Sequence, residues 1–275
     1  MAKKTNSQKK KTKARSNPQA KKAQLNNLRV WNLATGLILA VQAVVLIVVG
    51  SSASVAVTNG YLTKNTLASQ AAGKTVMSPA THHLFDVRLS YIIAALLLLA
   101  AATKLLVATI YRERYEADLK QSINRSRWLG YSLSGGLALV TVALINGVSD
   151  IATLISIFAL TEILALICVL IESVKDLKKH PRIAAKLPFV AGITPWLVVA
   201  IYLFGAQIYG SPGLPAYVYF VDASIFSLLL ATAAIMWMNG HKRRKFADYI
   251  YTERACILVN FVLLSALAWQ IYGGV

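Results

Sequence analysis

Apolar residues in this chain gather into seven long runs, near 30–57, 87–111, 128–147, 150–172, 188–207, 217–239 and 255–273. At about 1.5 Å of rise per helical residue, each run is long enough to cross roughly 30 Å of hydrocarbon. Strands do not suit as the spanning elements, because lipid-exposed strands must close into a barrel of shorter, alternating segments. The pattern predicts an all-α membrane protein, a seven-transmembrane-helix bundle over residues 30–275. Residues 1–29 hold ten Lys or Arg, no acid and no apolar periodicity, so a disordered basic tail is expected there. The first interhelical loop, about 58–86, is the longest. Its Tyr61, Leu62 and Thr63 lie between turn formers. Two readings stay open for it: a small β-hairpin acting as a lid or dimer contact, or an unstructured connector.

Charge then fixes an orientation. The chain is 56% hydrophobic and only 15% charged, with a formal net charge of +18. Of its 29 Lys and Arg, 25 fall in the tail and in the alternate loops 112–127, 173–187 and 240–254. On the other side stand Lys64, Lys74 and Arg88, and Lys104 lies within a span. This asymmetry predicts a cytoplasmic N-terminus, an outside C-terminus and a multi-pass protein of the cell membrane. It also accounts for the net charge without nucleic acid. Anionic lipid headgroups or a cytoplasmic protein are the partners that a basic inner face would attract.

Ionisable groups inside a membrane are the default functional candidates. Lys104 lies about two turns from the inner end of the second span, Glu162 near the middle of the fourth, and Asp222 about one turn into the sixth. Asp86 and Asp150 lie at outer boundaries. Lys104 either snorkels inward or pairs with Glu162, and Glu162 is alternatively protonated by burial. Asp222 is expected to be solvated. Pro195 and Trp196 in the fifth span mark a kinked, cavity-shaping helix or a packed one. His82, His83, His180 and His241 lie in loops or at membrane edges without metal-ligand spacing, and Cys168 and Cys256 read as buried hydrophobes. The sequence has no phosphate loop, nucleophile elbow or dinucleotide fingerprint, so neither a metal nor enzyme activity is expected.

Five stretches carry a family likeness: WNLATG at 31–36, HLFDV at 83–87, INRSRWLGYSLS at 123–134, GITPWLVVAIYLFGA at 192–206 and DYIYTERACILVNFVLLSALAWQIY at 248–272. Together they resemble the heliorhodopsins, seven-helix retinal proteins with the N-terminus inside. The resemblance implies a homodimer, with the first outer loop forming a small sheet at the contact. It implies retinal on a lysine of the seventh span, a glutamate of the third span as counterion, and Tyr131 and Trp196 lining the pocket. The lysine position, just before the serine of SALAWQ, is occupied here by Leu264, and no lysine follows Lys245. The glutamate position, two residues beyond the tryptophan of the Arg-Trp pair, is Gly130. Histidines of the first two spans correspond to Leu39 and Lys104.

These differences are mutually consistent. Leucine offers no amine for an imine, and a buried glutamate without an imine cation would be an uncompensated charge. Covalent retinal is therefore not expected; a free retinoid or another apolar ligand remains open as cofactor. The expected role is a heliorhodopsin-like sensory, signalling or small-apolar-ligand-binding module. Two alternatives are an ion or solute transporter using Lys104, Glu162 and Asp222, and a photoreceptor with its imine moved to Lys104.

Overall fold

The computed structural model describes residues 18–174, 177, 181–211 and 213–275. The nine helices among them are α1 (Pro18–Val49), α2 (Thr66–Ala72), α3 (Leu89–Ala108), α4 (Arg112–Lys120), α5 (Arg125–Ile145), α6 (Ile151–Ser173), α7 (Pro181–Tyr209), α8 (Ala216–Gly240) and α9 (Tyr249–Gly274). Two antiparallel strands, β1 (Ser54–Lys64) and β2 (Met77–Arg88), complete the fold. Seven of the helices are long and apolar enough to cross a membrane: α1 from Lys22, α3, α5, α6, α7 from Lys186, α8 and α9. The protein is a multi-pass membrane protein.

α5 is the axis of the bundle. Its membrane window is 72% buried against 17% for α7, so α5 faces protein nearly all round while α7 faces mostly lipid. Around it α1 packs on α3, α3 on α5, α5 on α6, α6 on α7, α8 on α9, and α9 closes back on α1. The core is aliphatic, with Leu39, Leu96, Leu97, Val142, Leu264, Leu267 and Ile271 sealed from any solvent. The two ends of the bundle differ. One carries the start of α1, α4 and the basic loops (the basic end), and the other carries the hairpin.

The first span differs from the expected 30–57. α1 stops at Val49, and Val55 to Val57 belong to β1. Gly50 makes this turn: a Cβ there would lie 2.2 Å from the Leu46 carbonyl oxygen and 2.5 Å from Ser90 Cβ, so only glycine lets the chain leave α1 so close to α3. The tail also differs. Residues 18–29, expected to be disordered, are helical. Their order comes from packing, since Leu25 and Leu28 bury against Tyr115, Leu119, Tyr249 and Ile257, and Arg29 Nε donates to the Ala108 carbonyl at 3.1 Å. The rest of the tail, and Lys175, Lys178, Lys179 and His180, lie outside the described residues.

The first loop adopts its hairpin reading. Ser54 pairs with Arg88 and Lys64 with Met77, with a bulge between Val57 and Thr58. Helix α2 fills the tip, capped by Asn65 at its start and by Gly73, at φ 60°, at its end. The bulge falls where β1 docks on the bundle. Thr58 N–H donates to the Ser149 carbonyl at 2.8 Å, and Gly60 N–H donates to Asp150 Oδ1 at 3.3 Å. Asp150 is also the N-cap of α6, accepting from the Thr153 N–H at 2.9 Å and from its hydroxyl at 2.9 Å.

The bonds from Thr153 hold the Asp150 carboxyl below its ordinary value. A depressed carboxyl stabilises the fold above its unfolded value, and that contribution is lost as pH falls through the folded value. Asp150→Ala is expected to cost about 1 kcal/mol as a lost cap and to speed amide exchange across residues 54–64. Amide exchange followed by mass spectrometry at neutral pH checks this, and exchange confined to α6 would refute the shared anchor.

Candidate functional site

At the basic end, four buried charges from four spans come together. Arg127 lies in the first turn of α5, Glu172 in the last turn of α6, Glu253 in the first turns of α9 and Lys104 one turn from the end of α3. Arg127 spans the two acids: Nη1 donates to Glu253 Oε2 at 2.8 Å and Nη2 to Glu172 Oε1. The planar guanidinium fork is what allows one side chain to serve two carboxylates in different directions. Arg127, Glu172 and Glu253 side chains are 3%, 9% and 4% exposed, so the pairing is nearly dry.

Neutral donors complete the two carboxylates. The Asn124 N–H donates to Glu172 Oε2 at 2.8 Å and the Tyr249 hydroxyl to Glu172 Oε1 at 2.9 Å. The Tyr115 hydroxyl donates to Glu253 Oε1 at 2.9 Å, and Asn32 Nδ2 approaches that hydroxyl at 3.5 Å. Burial first, then the Glu253 carboxylate, pushes the Tyr115 phenol well above its ordinary value, so it stays protonated and donates. Through Tyr115, helix α4 is latched across the basic end. The Arg127 guanidinium also lies over the Trp128 and Tyr249 rings, at 4.8 and 5.6 Å from their centroids.

Beside this cluster lies a cavity of about 40 Å³, lined by Asn32, Thr103, Lys104, Arg127, Gly130, Tyr131 and Glu253 among others. Lys104 is 8% exposed. None of the ion pairs among the described residues includes it. Of the two alternatives for Lys104, the pair with Glu162 is not formed. Glu162 instead faces Gly136 across the α5–α6 contact, beside Phe158 of its own helix, and its buried Oε1 has no hydrogen-bond partner among the described residues. Asp222, expected to be solvated, is 8% exposed and accepts from Asn146 Nδ2 at 2.9 Å. The reason is that α8 turns this carboxylate toward the hairpin end of α5 rather than outward.

The predicted pocket residues separate. Gly130 and Tyr131 line the cavity, and the Tyr131 hydroxyl donates to the Cys256 carbonyl at 3.1 Å, tying α5 to α9. Trp196 and Leu264 do not line it. Trp196 packs edge-on against Phe226 at 5.0 Å, inside the apolar core. Leu264 is 0% exposed in that same core, with Leu39.

The heliorhodopsin family model matches residues 28–275, nearly the whole bundle. The chain belongs to the heliorhodopsin family. Among curated proteins, none matches it.

The family implies retinal, and the residues present here do not fit a covalently held one. Helix α9 of this heliorhodopsin-family chain has no lysine, since the last lysine is Lys245. The cavity beside the charge cluster is small as well. The cavity of about 40 Å³ has room for a few waters, whereas pockets for organic ligands run to roughly 300 Å³ or more. A Cβ at Gly136 would meet the Phe158 ring at 2.7 Å, so that ring occupies the space a larger residue would need.

Sequence reasoning missed Arg127, Glu172 and Glu253 as a site. Arg127 reads as a loop charge at a span edge, and Glu253 falls in a segment dominated by bases. The available signal was position: both lie inside the stretches 123–134 and 248–272 that carry the family likeness.

Arg127→Ala leaves two buried carboxylates unpaired and is expected to cost about 3–5 kcal/mol. Arg127→Lys is expected to recover less than half of that, because an ammonium cannot fork between both acids. Tyr115→Phe is expected to cost about 1.5–3 kcal/mol as a lost bond to a charged acceptor. Thermal unfolding of the purified variants in detergent checks the order, and full rescue by lysine would contradict the fork geometry.

Proposed function

We propose that this heliorhodopsin-family protein carries no covalent retinal and works as a sensory or signalling membrane module through its basic end. The observation that carries the reading is Leu264, a sealed aliphatic side chain at the position where the resemblance places the imine lysine. Supporting it, Gly130 stands at the counterion position with Thr103 Oγ1 only 3.0 Å from where a Cβ would be, so a larger residue there would press on α3. An imine cation and its counterion are of use only together, and this chain has neither of the two groups. Enzyme chemistry has no part in this reading.

On this proposal the N-terminus is cytoplasmic and the C-terminus outside, in the cell membrane, because the basic residues gather at one end. The basic end then faces cytoplasmic proteins and anionic headgroups. The latch of α4 onto Glu253 supplies an element whose release would change that face. The hairpin faces outward and supports a homodimer. Beyond its docking point it is a two-stranded ribbon, marginal by itself in water, and it exposes Tyr61, Leu62, Leu84 and Phe85.

Expression with all-trans retinal followed by an absorption spectrum tests the proposal. The expected result is no visible band above that of a membrane without the protein. A visible band that hydroxylamine bleaches would overturn it. If Lys104→Ala then removed the band, the imine would have moved to α3; if the band survived, an amine elsewhere would be responsible.

A further inference from the structure

The charge cluster leaves one cation over. Glu172 and Glu253 are served by the Arg127 fork, two phenols and the Asn124 N–H, while Lys104 has no hydrogen-bond or ion-pair partner among the described residues. A second donor is also unfilled: the buried Arg127 Nε–H has no partner there. Both residues line the cavity, and its wall adds the polar side chains of Ser126 and Asn260. Thr103 and Ser134 donate their hydroxyls to the Ala100 and Gly130 carbonyls of their own helices. The unfilled capacity around the cavity is thus mainly that of donors, two of them on cations. Glu253 is the one carboxylate on the wall, and it already accepts from Arg127 and Tyr115.

We propose that this cavity is a binding site for a small monovalent anion of chloride's size, held by Lys104 with Arg127 Nε–H as a second donor. Its volume, about 40 Å³, takes a monatomic anion in place of a few waters, and the Glu253 carboxylate on its wall disfavours a divalent one. A buried ammonium without a counter-charge in contact is costly, and an anion at that point supplies one. Glu253 is the opposing charge on the wall and limits affinity. The site lies at the basic end, one turn of α3 from its terminus, where α4 covers it.

The test uses the full chain in nanodiscs, without retinal, so that it fails separately from the pigment reading. Chloride replaces gluconate at constant ionic strength and the melting temperature is followed. The expected result is a saturable rise with chloride and with bromide, and none with sulfate, because an ion that binds the folded state stabilises it by mass action. Lys104→Met is expected to weaken the apparent affinity at least about tenfold. Glu253→Gln, which removes the opposing charge, is expected to strengthen it. The two variants move in opposite directions, so a general loss of stability cannot imitate the result. No saturable response in the wild type, an equal response in Lys104→Met, or weaker binding in Glu253→Gln would overturn the site.

Discussion

The basic end of this protein is organised by one guanidinium. Arg127 joins α5 to α6 through Glu172 and to α9 through Glu253, and the latter acid holds α4 by Tyr115. In a medium without water each of these groups alone would be a large penalty, and together they satisfy one another. Much of the surrounding geometry follows. The Asn124 side chain caps α5 while its N–H serves Glu172, so the turn that enters α5 and the end of α6 are fixed by the same acid. Tyr249 starts α9 and bonds both Glu172 and Arg127, so α9 enters the bundle at a set depth. The ordered start of α1 is a consequence too, because Leu28 packs on Tyr115 and Tyr249, whose positions the cluster sets.

Away from that end, cohesion is of another kind. The middle of the bundle is held mainly by aliphatic packing around Leu264, with the Ser265 hydroxyl donating to Gln42 Oε1 at 3.1 Å beside it. On the proposed reading this division explains how a heliorhodopsin-family chain can go without its pigment and keep its fold. The polar lock at one end and the hairpin anchor on Asp150 at the other do not involve the positions where the resemblance places the lysine and its counterion. Leucine at 264 and the Phe158 ring over Gly136 fill the interior with apolar atoms, which costs nothing in desolvation. The buried ion pairs are concentrated at Arg127, while Glu162 and Asp222 lie away from it.

Much of this was legible in the residues, for identifiable reasons. The seven spans follow from run length, because lipid permits few alternatives to a helix. The turn formers around Tyr61 to Thr63 allow a hairpin and an irregular connector alike, since a two-stranded ribbon of mixed residues leaves no alternation to read. The end of α1 does not show in the sequence because Val55 and Val57 are as apolar as the span before them, and hydropathy does not register the close approach that Gly50 permits. The cluster was illegible for a stronger reason. Arg127, Glu172 and Glu253 are far apart in sequence, and each sits within a turn of a span end, where a charge reads as solvated. Lys104 stands out in the sequence as a charge within a span, but the acid that shares its level, Glu253, sits at the edge of the last span, while Glu162 lies nearer the middle of α6 on another face of the bundle.

Helix rotation, as well as depth, decides which charges meet in a membrane. Glu162 and Lys104 both lie inside apolar runs, which makes them candidate partners in the sequence, but Lys104 is one turn from the basic end of α3 and Glu162 is near the middle of α6. Rotation separates them too. α6 turns Glu162 toward Gly136, while α3 turns Lys104 toward the space between α1, α5 and α9. Lys104 therefore shares its surroundings with Arg127, another cation, and with an acid already engaged by that cation. A lysine placed only for stability would be better served by a free carboxylate, and the bundle does not provide one at that point. The cavity next to its ammonium, which an apolar side chain could have filled, is the physical consequence of keeping a cation there.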